Sequence, residues 1–363
     1  MKTIKLLGIL LLLAAISAFS TVSAQEEHQA EKKDSLSKET KEAEFVPSEF
    51  IIEHVSDSHE WHILTKKNGE PVALYLPVIL FEKDKGITCF SSRKLAHGKV
   101  YKGYKLIEEG DLKGKIATVN AAGEADEKNL PLDFSITKAI VGMLGAVIIG
   151  LFLFISMARS YKKTGISAPK GIQSFLEPVI LFVRDDIAVA NLGEHKAEKY
   201  MPYLLTVFFF ILINNLMGLI PFPPPFGASV TGNVNVTFVL ALFTFLIVQF
   251  SGNRAYWKHV FATPGVPYWL LPIMIVVEII GLFSKPFALM IRLFANITAG
   301  HIIVLSLVCL IFIFKSLAVA PVSIAFVLFM DCLELLVAFL QAYIFTLLTS
   351  LFISMAMPEE HHH

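Results

Sequence analysis

The sequence predicts an all-α integral membrane protein with five membrane-crossing helices, the last two long and strongly tilted as a hairpin. A small β-containing domain precedes them. Three observations lead there. Hydrophobic residues make up 55% of the 363 and charged residues only 17%, which with a mean hydropathy of +0.62 marks a membrane chain rather than an average soluble one. The apolar residues gather into separate runs long enough to cross a hydrocarbon core of roughly 30 Å. Inside one of those runs, between residues 266 and 314, stand Glu278, Lys285, Arg292 and His301. An ionisable group at bilayer depth costs at least a few kcal/mol, and it normally persists where an ion or proton pathway uses it.

The chain opens on a processing signal. Lys2 and Lys5 precede an apolar core from Leu6 to Ala15, and small residues end at Val22-Ser23-Ala24, the pattern of a secretory signal peptide over residues 1–24. The alternative, an uncleaved anchor, needs a longer core. Residues 25–44 are dense in Glu, Lys, Gln and Ser and read as a disordered tether. Residues 45–132 read as an extracytoplasmic extension. Its strands are expected at Phe50-Ile51-Ile52, Trp61 to Leu64, Val72 to Phe81 and Lys99 to Ile107, broken by Asn68-Gly69, Lys85-Gly86 and Glu109-Gly110. His54, Asp57, His59, Glu60 and His62 cluster here without a closed four-ligand zinc pattern, and a solvated strand-and-turn face is the better reading.

The membrane domain is expected over residues 133–357. Its first span, Ile136 to Met157, is followed by Arg159, Lys162, Lys163 and Lys170, which sets that end in the cytoplasm. Residues 171–199 alternate apolar Phe175, Val179, Phe182 and Val183 with Arg184, Asp185 and Asp186, as expected of a helix lying along the cytoplasmic surface. Spans two and three, Met201 to Ile220 and Val234 to Phe250, flank an uncharged outer loop with a Pro223-Pro224-Pro225 turn. The loop after them carries Arg254, Lys258 and His259. Two runs then exceed the roughly 20 residues of a perpendicular span, Pro267 to Phe314 and Val322 to Met357, and tilt absorbs the excess. Their bend is expected near Lys315 to Pro321, leaving a cytoplasmic tail at 358–363. Zero net charge and the lack of a sustained basic patch argue against a nucleic-acid partner. Cys89, Cys309 and Cys332 have no metal spacing, and a disulfide framework is not expected. No GxxxxGK[ST] loop is present to hold a nucleotide.

The embedded polar residues have a pattern. Glu278, Lys285 and Arg292 recur every seven residues and return almost to one helix face. Lys285 alone has a bland explanation, a basic side chain snorkelling to an interface. Asn296 follows Arg292 by one turn, while His301 lies about 180° away at roughly 100° per residue. On the last run, Glu334 and Gln341 share a face. A fixed cation beside groups that exchange protons suits a proton relay, because arginine stays protonated and imidazoles and carboxylates need not.

These residues carry a family resemblance. Ser284-Lys285-Pro286, Arg292-Leu293-Phe294-Ala295-Asn296, Ala299-Gly300-His301 and Gln341-Ala342-Tyr343 resemble the signature of subunit a of the F-type ATP synthase. Asn215 to Pro221 and Asn233 to Thr237 are similar to two further segments of that family. The resemblance covers roughly residues 130–357. It implies a non-catalytic stator subunit of the bacterial inner membrane that assembles with a c-ring, peripheral-stalk b subunits and other ATP synthase subunits, without a cofactor. It also implies that Arg292 faces the c-ring. Asn296, His301, Glu334 and Gln341 then fall in the half-channel opening outward, and Glu278, Ser284 and Lys285 near the cytoplasmic one. The choice of H⁺ or Na⁺ would rest with the ring. Gly218 stands where some relatives carry an acid and is left outside the relay. The secondary-transporter alternative predicts an internal repeat that the run lengths do not show. The alternative of an anchor for the extension leaves Arg292 unexplained.

Overall fold

The computed structural model describes residues 47–357 apart from 66–70, 84, 108–109, 111, 121–124, 127–129, 165–170, 221–222, 262–266 and 315–319. The expected signal peptide, tether, C-terminal tail and most of the bend at 315–321 therefore lie outside the described residues, as do Asn68-Gly69 and Lys170.

The extension begins with helix α1 (Pro47–Val55), not with the strand expected at Phe50-Ile51-Ile52. Period-two reasoning fails here because this apolar stretch packs on a transmembrane helix instead of joining a sheet. Eight short strands follow: β1 (Glu60–Thr65), β2 (Pro71–Tyr75), β3 (Pro77–Glu82), β4 (Gly86–Ser91), β5 (Tyr104–Leu106), β6 (Ile116–Val119), β7 (Ala125–Asp126) and β8 (Leu132–Asp133). They form antiparallel sheets β1-β2, β4-β3-β8 and β5-β6-β7. The run Val72 to Phe81 is thus two strands parted at Leu76, whose backbone bonds His59 and Ser92. The expected strand 99–107 shrinks to β5, because Lys102 and Gly103 turn with positive φ of 53° and 81°. In β3 alternation sends Val78 and Leu80 into the core beside Phe90, Leu95, Tyr104 and Ile116.

Among the described residues, five helices are long and apolar enough to cross a membrane: α2 (Lys138–Thr164), α5 (Glu194–Leu219), α6 (Val234–Ser251), α8 (Leu271–Phe314) and α9 (Ala320–Ala356). Shorter α3 (Ile172–Phe182), α4 (Ala190–Leu192) and α7 (Arg254–Phe261) lie between them. The segment 171–199 corrects the expectation of one surface helix. After α3 comes a π-helical turn, Val183–Val189, whose Val183, Ile187 and Ala188 are fully buried in the bundle while Phe175 is 76% exposed. The widened turn leaves the Ile187 carbonyl to accept from Asn191 Nδ2 at 2.7 Å and from Ser350 Oγ at 3.2 Å. Gly193, at φ 75°, then breaks the chain, and residues 194–199 form the start of α5.

The bundle core joins Phe208, Ile211, Leu289, Leu293, Ile297 and Phe345 with Val183 and Ile187. Between spans such packing stabilises by van der Waals contact and not by removal from water, because lipid tails are as apolar as the side chains. α9 packs on both α5 and α8, and α8 also packs on α6. Contacts of Leu307 with Ser323 and of His301 with Glu334 run in opposite senses along α8 and α9, so the two are antiparallel.

Candidate functional site

Residues 289, 293 and 297 of α8 are buried, which fixes the helix's inner face and turns Arg292 and Asn296 outward, both exposed. Among the described residues Arg292 has no ion pair or hydrogen bond. A guanidinium cannot shed its charge in a protein. At membrane depth such a charge is costly unless a counter-charge, backbone carbonyls or water meet it.

His301 points the other way. Its Nδ1 stands 3.1 Å from Glu334 Oε1, with side-chain exposures of 19% and 7%. The distance suits an ion pair, but the two are out of line for a hydrogen bond, and Glu334 Oε1 has no aligned donor among the described residues. Two glycines make the room. A Cβ at Gly300 would lie 3.0 Å from Glu334 Oε1, and one at Gly218 would lie 3.5 Å from His301 Nε2. Gly218, set aside in the sequence for want of an acid, is thus a wall of the imidazole's compartment. Gln341 is buried two turns beyond Glu334. Beside it Asn215 Nδ2 donates to the Ala338 carbonyl at 3.1 Å and Asn215 Oδ1 accepts from Thr231 Oγ1 at 2.6 Å, a buried polar tie between α5, the following loop and α9.

A second polar region lies at the opposite end of the bundle. A cavity of about 670 Å³ is lined by Gln249, Tyr256, His259, Glu278 and Lys285 together with apolar residues of α6, α8 and α9. His259 Nδ1 is 3.9 Å from Glu278 Oε1, and Lys285 Nζ lies 5.7 Å from the centre of the Phe352 ring. Burial holds the Tyr256 hydroxyl above the usual tyrosine range, with Glu278 adding to the shift. Glu278 and Lys285 therefore line one cavity, but Ser284 turns away, its Oγ donating to the Gly281 carbonyl at 3.1 Å. Arg292 is not on the cavity either. Seven residues fall about 20° short of two full turns, so the expected stripe drifts around the helix.

Sequence reasoning overlooked Asp331, an exposed acid one turn before Glu334, although its position in an apolar run was the signal. It also overlooked Tyr256, Gln249 and Thr231, which carry no charge to betray them. In the extension, His59 Nε2 meets Asp133 Oδ2 at 3.0 Å and Asp57 caps α2, so these members of the His/Asp cluster serve structure. The side chains of His54 and His62 lie outside the described residues.

Five apolar helices enclosing an acid–imidazole pair, with an arginine on their flank that has no counter-charge among the described residues, define a polytopic membrane protein with ionisable groups threaded through its spans. A family profile described as ATP synthase A chain matches residues 140–354. A second, described as Domain of unknown function (DUF8433), matches residues 50–134. The chain is 51% identical over 234 residues to ATP synthase subunit a of Chloroherpeton thalassium, covering 63% of this chain and 69% of that one. It is 48% identical over 239 residues to ATP synthase subunit a of Myxococcus xanthus, covering 64% and 76%. With the same subunit of Pelodictyon phaeoclathratiforme the identity is 45% over 278 residues, covering 74% and 79%. The chain belongs to the ATP synthase A chain family, and is an integral membrane protein of ATP synthesis and hydrogen-ion transport.

Proposed function

We propose that this chain is the non-catalytic stator subunit of an F-type ATP synthase and moves protons to and from a rotating ring of c subunits. The observation that carries the reading is the exposed, unpaired Arg292 between two separate polar regions. Along α8 it lies 14 residues from Glu278 and 9 from His301, roughly 21 and 14 Å at the helical rise. Two offset half-channels that never meet need that spacing. Protons enter by the His301–Glu334 pair, with Asn296 and Gln341 along the path, and pass to a ring carboxylate. After the ring has turned they leave by the Glu278–Lys285 cavity, with Ser284 at its margin. Arg292 attracts the deprotonated ring carboxylate as it passes and bars direct leakage. The nucleotide chemistry belongs to partner subunits.

α8 and α9, at about 66 and 56 Å along their axes, exceed the bilayer core and form a tilted hairpin against the ring. Stalk b subunits brace the stator, and the complex sits in the bacterial inner membrane. The basic residues at the end of α2 and just beyond it, with the leader pattern, support a cytoplasmic C-terminus and a periplasmic extension. Residues 1–24 are the signal peptide, 25–44 a tether, 45–132 the extension, 133–357 the membrane domain and 358–363 the tail. The decisive test is Arg292→Ala in the assembled complex. ATP-driven pumping in inverted vesicles falls to background, and passive proton conductance rises. Normal pumping by assembled complexes carrying Arg292→Ala would sink the stator reading.

A further inference from the structure

Besides the packing of α1 on α8, the extension is hydrogen-bonded to the membrane helices at Asp57-Ser58. The Ser58 carbonyl accepts from Lys138 N at 2.9 Å, and Asp57 Oδ1 accepts from Ala139 N at 3.0 Å. Two of the four orphan amides at the start of α2 are thereby satisfied from the extension, with the carboxylate at the positive end of the helix dipole. The other Asp57 oxygen accepts from Asn233 Nδ2 at 3.3 Å, while Asn233 Oδ1 caps α6 by accepting from Asn235 N at 2.9 Å. One carboxylate thus ties the extension to the starts of two spans. Four residues on, Trp61, 5% exposed, packs with Ala228 and Val230 of the loop between α5 and α6.

Beside this docking lies a half-open cavity of about 350 Å³. Ile52 and Asp57 form its outer side, Thr298 and Ile302 of α8 its inner side, and Ala228 and Ser229 its end. Ala228, at that end, lies close to the imidazole. A Cβ at Gly218 would stand 3.5 Å from His301 Nε2 and 3.6 Å from the Ala228 carbonyl oxygen, so ring and carbonyl flank one small space. Ser229 Oγ is buried and has no hydrogen-bond partner among the described residues. A cavity of this size, with the Asp57 carboxylate, the Asn233 amide, Lys138 and the hydroxyls of Ser56, Ser229 and Thr298 on its wall, has both the room and the partners that water requires. Bridged waters carry protons between groups too far apart to touch.

We propose that the extension builds the mouth of the proton inlet: α1 and Asp57 form the outer wall of a water-filled vestibule that ends at His301. This rests on the proposed half-channel reading, and deepens it by giving residues 47–61 a part in proton delivery. Asp57 is a positioning residue, holding the wall against α2 and α6.

The test uses the assembled ATP synthase in right-side-out vesicles, with Cys89, Cys309 and Cys332 replaced by serine. Single cysteines are introduced as Ile52→Cys and Thr298→Cys on the vestibule, and as Val277→Cys on the exposed apolar flank of α8. A membrane-impermeant cationic methanethiosulfonate is added from outside, and proton flow is compared before and after labelling in the same preparation. Because labelling follows assembly, a folding defect cannot imitate the effect. Both vestibule cysteines react, and their labelling slows proton flow at least about fivefold, while Val277→Cys shows no loss. In a second arm, Asp57→Leu lowers flow per assembled complex and speeds labelling of Thr298→Cys, as expected of a wall that has come loose. Complete labelling of Thr298→Cys without a change in flow would overturn the vestibule. So would failure to react in the assembled complex. Either result alongside uncoupling by Arg292→Ala leaves the half-channel reading standing. If Arg292→Ala also pumps normally, the half-channel reading is what failed.

Discussion

Replacing Gly300 with alanine separates helix stability from proton transfer. The new Cβ would lie 3.0 Å from Glu334 Oε1, 3.2 Å from Cδ and 3.4 Å from Cγ. Three consecutive atoms of one side chain lie in its path, so the whole carboxylate arm must move and not merely its tip. Glu334 is 7% exposed and closely packed, so the few tenths of an ångström to be gained come at the expense of its 3.1 Å approach to His301. A misplacement of about 1 Å at a reacting group costs on the order of 100-fold, and a smaller shift here predicts a loss of roughly 10-fold in ATP-driven pumping. The same substitution removes a glycine from a helix interior and favours α8 by about 1 kcal/mol. The complex therefore assembles at least as well as the parent while pumping less. The assay is pumping in inverted vesicles per assembled complex, for Gly300→Ala alone and combined with Glu334→Asp. The shorter acid withdraws from the added methyl, so Gly300→Ala costs less in the Glu334→Asp background than in the parent. Pumping by Gly300→Ala equal to the parent would refute the claim that the position of Glu334 governs proton entry.

The proposed pairing of His301 and Glu334 predicts a coupling of about 0.5–3 kcal/mol in a double-mutant cycle of His301→Ala and Glu334→Gln, whereas strictly multiplicative losses would mean independent action. The exchange His301→Glu with Glu334→His keeps both chemistries and outperforms the worse single variant in vesicle pumping. In the extension, burial alone raises the Asp133 carboxyl, but hydrogen bonds from His59 and Ser135 outweigh it and hold the group below the usual aspartate range. A depressed folded value stabilises the extension above the unfolded pKa of about 3.9, and that contribution fades as pH falls through the lowered one. Asp133→Asn should therefore lower the unfolding temperature of the extension at pH 6 by an amount worth up to about 1 kcal/mol and make no difference near pH 2, as read by calorimetry. An equal loss at both pH values would show that packing, not charge, is responsible.

Hydropathy by itself determined the five spans, because a run of apolar residues has no other low-energy place than a hydrocarbon core, and the helix is the form that satisfies its backbone there. Sequence also singled out Arg292, His301 and Glu334, since charges in apolar runs are conspicuous wherever they point. It misread α1 as a strand, because Phe50-Ile51-Ile52 has no period of its own and its form is set by the helix it packs against. The break at Gly193 and the π-turn that buries Val183 and Ile187 were equally out of reach: local pattern cannot say which side of an amphipathic stretch finds a protein partner. Only the tertiary structure decided that Arg292 faces outward unpaired while His301 meets Glu334 on another helix, because helix phase is fixed by packing of 289, 293 and 297 and not by spacing alone. It alone gave Gly218 and Gly300 their meaning. A missing side chain leaves no chemical mark in a sequence, and its value lies wholly in what a neighbouring helix puts in the vacant space.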